Sequence, residues 1–112
     1  MRATTKKAKW LQAALQEVAD AAGMSTAGFN LSVSVRHEMP CCVYRTIMIP
    51  TCLAAPDEDF GLVARTFLHE LQHALDIKND LDLELTREEL EIRARRAEQR
   101  YTFWLKKKGL AA

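Results

Sequence analysis

Apolar and polar positions alternate along the chain with two different periods. Between Thr5 and Ala22 the residues Trp10, Leu11, Ala14, Leu15, Val18, Ala21 and Ala22 recur at helical spacing, with a threonine near the start and Gly23 as a stop. This predicts an amphipathic helix packed on a sheet. From Phe29 to Val35 the period falls to two: Phe29, Leu31, Val33 and Val35 alternate with Asn30, Ser32, Ser34 and Arg36, the pattern of a half-buried strand. Cys42 to Ile49 is the expected partner, joined through a turn containing Pro40 into an antiparallel hairpin, with a short third strand within Thr51 to Pro56.

Asp57, Glu58 and Asp59 then precede a return to helical spacing, where acidic residues suit a helix N-terminus. Phe60, Val63, Ala64, Phe67, Leu68, Leu71, Ala74 and Leu75 make one broad apolar face. After a turn at Asn79-Asp80, Thr86 and Glu89 have the spacing of a capping box. A last helix is expected from Arg87 to about Lys107, with Leu90, Ala94, Ala97, Tyr101 and Trp104 at helical spacing and Gly109 as its end. The elements describe an α+β fold on a single domain spanning 1–112, with no repeat or linker to mark a second one. Its layout is an N-terminal helix, a small, mostly antiparallel sheet, and two further helices.

The chemistry sits on the narrower stripe of the second helix. His69-Glu70-Leu71-Gln72-His73 has the HExxH pattern, and only three histidines exist in the chain. Histidines four apart lie one turn above each other, so both rings reach one metal ion. Glu70 points obliquely to them, where a carboxylate can take a proton from a metal-bound water. The stripe also carries Leu62, Thr66 and Asp76. A catalytic zinc takes a third protein ligand, and the glutamates of the last helix are the supply. Glu91 is the first choice, on a stripe with Ala94, Glu98 and Thr102; Glu98 and Glu88 are the alternatives, and Glu89 is claimed by the cap. Glu91 and Glu98 are about 10 Å apart along a helix, so both cannot bind one ion. With Glu91 as ligand, Glu98 is expected to hold Arg65 or another helix. His37 precedes the motif at a strand end and is a poor candidate ligand.

Charge changes the picture by exclusion. Lys and Arg total 16 against 15 Asp and Glu, so no net field favours nucleic acid or an anionic membrane, and the basic runs near the C-terminus suit a solvated helix face. There is no apolar run long enough to span a bilayer and no signal-peptide pattern, so a cytoplasmic protein is expected. Cys41, Cys42 and Cys52 are odd in number, two of them adjacent, a poor disulfide framework that agrees with a reducing compartment. As strand residues they are expected in the core, with a thiolate that silences a zinc ion as the competing reading.

With His69, Glu70, His73 and Glu91 in this order, the chain resembles the gluzincin branch of the zinc metallopeptidases, in particular its compact one-domain members. The resemblance covers most of the chain in element order, and by residue only these four positions. Many gluzincins carry an aspartate four residues after the glutamate ligand to orient a histidine; here that position is Arg95, with Asp76 as a possible local substitute. The resemblance implies a zincin-like fold, Zn2+ as cofactor, a peptide or protein substrate held against an edge strand, and Glu70 as general base. Cys42 to Ile49 is the strand expected at that edge, and Tyr44, Tyr101 and His37 are candidate oxyanion stabilisers. The competing function is a non-catalytic regulatory or inhibitory binding protein on a zincin scaffold, of the kind a mobile element could encode. Oligomeric state is not readable from the sequence.

Overall fold

A computed structural model describes residues 1–53 and 59–110. The elements run β1 (Arg2–Ala3), α1 (Lys6–Ala21), β2 (Asn30–Ser34), β3 (Cys41–Val43), β4 (Thr46–Pro50), α2 (Phe60–Lys78), a 3-10 turn at Leu81–Leu83, α3 (Arg87–Gln99) and α4 (Tyr101–Lys107). The class is α+β, as the two periods predict. No helix among the described residues is long and apolar enough to cross a membrane.

The predicted helix boundaries hold because local chemistry fixes them. Gly23 takes φ 68° and the amides of Gly23 and Met24 return to the carbonyls of Asp20 and Ala19, closing α1 in a Schellman motif. Thr5 begins α1 but does not cap it with its side chain. Its hydroxyl instead donates to the Val33 carbonyl at 3.0 Å and accepts from the Val33 amide at 3.2 Å, which pins the helix start to β2. Asp59 caps α2 through the Gly61 amide, and Thr86 and Glu89 form the complete capping box at α3. Of the predicted acidic start to α2, Asp57 and Glu58 lie outside the described residues.

The sheet corrects the expectation of a mostly antiparallel one. Its order is β1-β2-β4-β3; β1 and β4 both pair with β2 in parallel, and only β3 and β4 are antiparallel. The run from Cys42 to Ile49 is therefore not one strand against Phe29 to Val35. It turns at Tyr44, which takes a left-handed φ of 55°, so the chain goes out along the edge as β3 and returns as β4. Burial explains which strand is central. Ile47 and Ile49 of β4 are fully buried beside Leu31 and Val33 of β2, whereas β3 offers only the half-buried Cys41 and Cys42 and the exposed Val43. The third strand expected after Pro50 is a turn over 51–53, and the rest of that stretch lies outside the described residues. Two-residue β1 is too short to leave a periodic signal.

Leu11, Leu15 and Val18 of α1 and Val63, Phe67, Leu68 and Leu71 of α2 close on that sheet as one core. Trp10, expected on the buried face of α1, is 56% exposed. Val35 is 76% exposed because β2 ends at Ser34, before the alternation does.

The last predicted helix is two helices. The chain bends at Arg100, whose guanidinium donates to the Ala22 carbonyl at the end of α1, and Tyr101 turns inward. Phe60 then packs edge-on to Tyr101 and against Trp104, with Tyr101 and Trp104 stacked at 5.7 Å. The aromatic stripe is core, and Phe103, off the stripe, is half exposed.

Candidate metal centre

The α2 and α3 helices pack along their length, and an ion pair between the buried Asp76 and the partly exposed Arg93 helps to fix how they meet. Asp76, 1% exposed, accepts from Arg93 Nη2 at 2.9 Å and Nε at 3.0 Å, and from Gln72 Nε2 at 2.9 Å. A bidentate pair of this kind sets orientation as well as distance. With α3 held so, Glu91 lies opposite the two motif histidines, one turn of α2 apart.

His69 Nε2 and His73 Nε2 are 3.2 Å apart, and each is 3.1 Å from an oxygen of the Glu91 carboxylate. These three side chains are also the group among the described residues that brings His, Cys, Asp or Glu donors close enough to share an ion. A tetrahedral ion holding such donors at about 2.0–2.1 Å sets them about 3.3 Å apart, so the triangle has nearly the right size. Glu88, the other alternative, is exposed.

Protons decide whether that triangle is a metal site or a hydrogen-bond cluster. Glu98 Oε2 lies 2.7 Å from His69 Nδ1. A carboxylate can only accept there, so Nδ1 carries a hydrogen and a neutral His69 turns the lone pair of Nε2 toward Glu91. Two acceptors then face each other at 3.1 Å. A metal ion at the centre of the triangle would satisfy both acceptors. The donor set of two imidazoles and one carboxylate suits zinc.

Glu98 thus does what the sequence left open. It holds another helix, as one of the two expectations had it, and the contact is His69 rather than Arg65. Asp76 is not the local substitute: it serves Arg93 and Gln72 and touches neither histidine. Arg95, where many gluzincins have their aspartate, sits 3.8 Å from Glu91 on the exposed side. The missed signal was available in principle. A glutamate seven residues after Glu91 lies on the same stripe, about 10 Å along the axis. Because α3 returns along α2, that distance carries it past the Nε2 atoms that Glu91 meets to the far nitrogen of His69.

Glu70, half-buried, takes no part in the hydrogen bonds of the triangle. Its charge acts on Cys41 and Cys42, whose thiols are raised, Cys42 to about 11, chiefly by burial and then by Glu70. Burial also raises the Glu70 carboxyl above its usual value, against the pull of His69 and His73 and with a further push from Glu91. Cys42 packs against the core as expected and Cys41 is half-buried 3.9 Å from Met48 Sδ, but Cys52, in the turn after β4, is exposed rather than a core strand residue. No cysteine joins the two histidines and Glu91 as a shared donor group among the described residues.

The proposed oxyanion residues are spread out. Tyr101 is in the aromatic cluster, His37 Nε2 is bonded to Ser32 Oγ at 2.9 Å, and Tyr44, 83% exposed at the hairpin tip, lines a small cavity beside Ala74, Ile77 and Lys78. Two open cavities, of about 930 and 610 Å³, are not lined by Glu70 or either motif histidine; one lies beside Glu98 and the other beside Glu91. Comparison with models of known families, with curated proteins and with solved structures finds no match to this chain.

Proposed function

We propose that the protein is a zinc-dependent peptide hydrolase on a compact zincin-like domain. The observation that supports this most is the closed triangle of His69 Nε2, His73 Nε2 and Glu91, with His69 oriented from behind by Glu98 and Glu70 acted on by charge rather than by hydrogen bonds. His69, His73 and Glu91 would hold the ion, which supplies a Lewis acid and acidifies a bound water. Glu70 is the group that moves the proton. Its raised carboxyl is a better base than an ordinary surface glutamate, and it has no hydrogen-bond donor competing for its lone pairs among the groups that act on it. It would accept a proton as the water oxygen adds to the carbonyl carbon, then deliver it to the amine as the C–N bond breaks.

β3 is one edge of the sheet among the described residues, and the Glu70 charge reaches its Cys41 and Cys42. An extended peptide pairing there would bring its backbone past that carboxylate. A non-catalytic binding protein is the second reading, favoured by the position of the two large cavities away from Glu70.

One experiment separates them. Zinc content and cleavage of a degenerate, internally quenched peptide pool are measured together for the wild type, His73→Ala, Glu91→Ala and Glu70→Gln. The expected result is one zinc per wild-type chain, its loss in the first two variants, and zinc without turnover in the third. Zinc with no cleavage by the wild type moves the conclusion to the binding protein; no zinc after loading overturns both the metal centre and the hydrolase.

A further inference from the structure

Where α3 gives way to α4, an open cavity of about 930 Å³ is lined by Arg65, Arg96 and Arg100 together with Glu98, Tyr101 and Phe103. None of these arginines is in an ion pair among the described residues, although acids elsewhere on the same helices are paired. Two are held in place by neutral groups: Arg100 by the Ala22 carbonyl at 3.2 Å, and Arg65 by the Tyr101 ring, 5.9 Å from its centre. Neither contact cancels charge. Glu98 is the one acid of the lining, and its Oε2 is taken by His69 at 2.7 Å. The remaining wall includes Ala22, Leu105 and the exposed ring of Phe103, so the arginines look across an apolar surface.

We propose that this cavity binds a small organic anion, a carboxylate or phosphate monoester carried on an apolar body. A guanidinium fork matches either headgroup with two parallel hydrogen bonds, and three arginines against the single carboxylate of Glu98 leave the lining with an excess of positive charge that favours an anion. The apolar wall selects against bare inorganic anions, and the cavity is within the range of about 300–1,000 Å³ usual for small-molecule sites. The proposal stands whether or not the protein cleaves peptides.

Calorimetric titration tests it, with octanoate, octyl phosphate, octanol and inorganic phosphate as probes. Trp104, stacked on Tyr101 at the cavity wall, gives a fluorescence readout of the same event. One saturable site is expected for an anionic octyl probe, at least tenfold tighter than for octanol or inorganic phosphate. Octanoate alone would identify a carboxylate site, octyl phosphate alone a phosphate site, and both a general anion site. Arg65→Gln and Arg96→Gln should each weaken binding at least tenfold. Arg87→Gln, at the far end of α3, should leave it unchanged and so should His73→Ala, which removes a candidate metal ligand. Equal affinity for octanol, no saturation by either anion, or loss of binding in His73→Ala would overturn the proposal.

Discussion

Glu70 and Asp76 sit on the same helix, both withdrawn from bulk water, in opposite surroundings. Asp76 is saturated: Arg93 and Gln72 between them donate three hydrogen bonds, and the charge is matched where it is buried. Glu70 is acted on by His69, His73 and Glu91 through charge rather than through hydrogen bonds, and burial raises its carboxyl. The α2 helix thus carries two carboxylates held in different ways. A carboxylate that serves folding has spent its lone pairs, whereas one suited to chemistry keeps them available at some cost in solvation.

The largest effect should come from breaking the matched pair. Arg93→Ala leaves a carboxylate buried without its cation, and should cost about 3 kcal/mol of unfolding free energy, the low end of the range for such a lesion because Arg93 is itself partly exposed. Urea denaturation measures it, and a loss under about 1 kcal/mol would mean that Asp76 is no structural clamp. Next in size is Glu98→Ala, which frees His69 Nδ1 and should weaken zinc about 10–100-fold in chelator competition. Unchanged affinity would reduce Glu98 to a bystander.

Glu70→Gln should behave in the opposite way from a change at the clamp. A carboxyl whose folded value is raised above its unfolded one contributes stability at low pH and loses it as pH rises through the folded value. At neutral pH the neutral amide should therefore leave the unfolding free energy within about 0.5 kcal/mol of wild type or raise it. A clear loss would show that Glu70 holds the fold together as Asp76 does. The smallest effect is at the hairpin. Because the Glu70 charge adds to the raised thiols of Cys41 and Cys42, the same variant should be alkylated faster at those cysteines at pH 8, by less than about threefold. Mass-spectrometric labelling reads each site, and an unchanged rate would mean that Glu70 does not face β3.

Much of this was visible in the order of residues because it depends on neighbours in the chain. Helix starts at Asp59 and Thr86 and stops at Gly23 and Gly109 are local events, settled by one cap or one left-handed residue, whereas Thr5 starts α1 through a contact with Val33 of β2. The pairing of His69 with His73 follows from helical pitch alone. Trp10 and Val35 show where the same logic ran out: periodicity gives the face of a helix or strand but not how far the opposing layer extends to cover it.

Strand pairing was legible only in part, since alternation identifies Leu31 and Val33 as inward-facing without saying whether the next strand runs with them or against them. The left-handed turn at Tyr44 decided that, by sending β3 to the edge and returning β4 beside β2.

The sequence by itself determined the helix that carries two imidazoles on one face, because the rise and pitch of a helix are properties of the backbone. It also narrowed the third donor to the glutamates of the next helix. Only the tertiary structure decided that Glu91 meets the Nε2 atoms, that Glu98 meets the opposite nitrogen of His69, and that Asp76 belongs to Arg93. Those assignments depend on the antiparallel contact of α2 with α3 and on the relative rotation of the two helices. That rotation is set by packing and by an ion pair between residues distant in the chain, which no local period encodes.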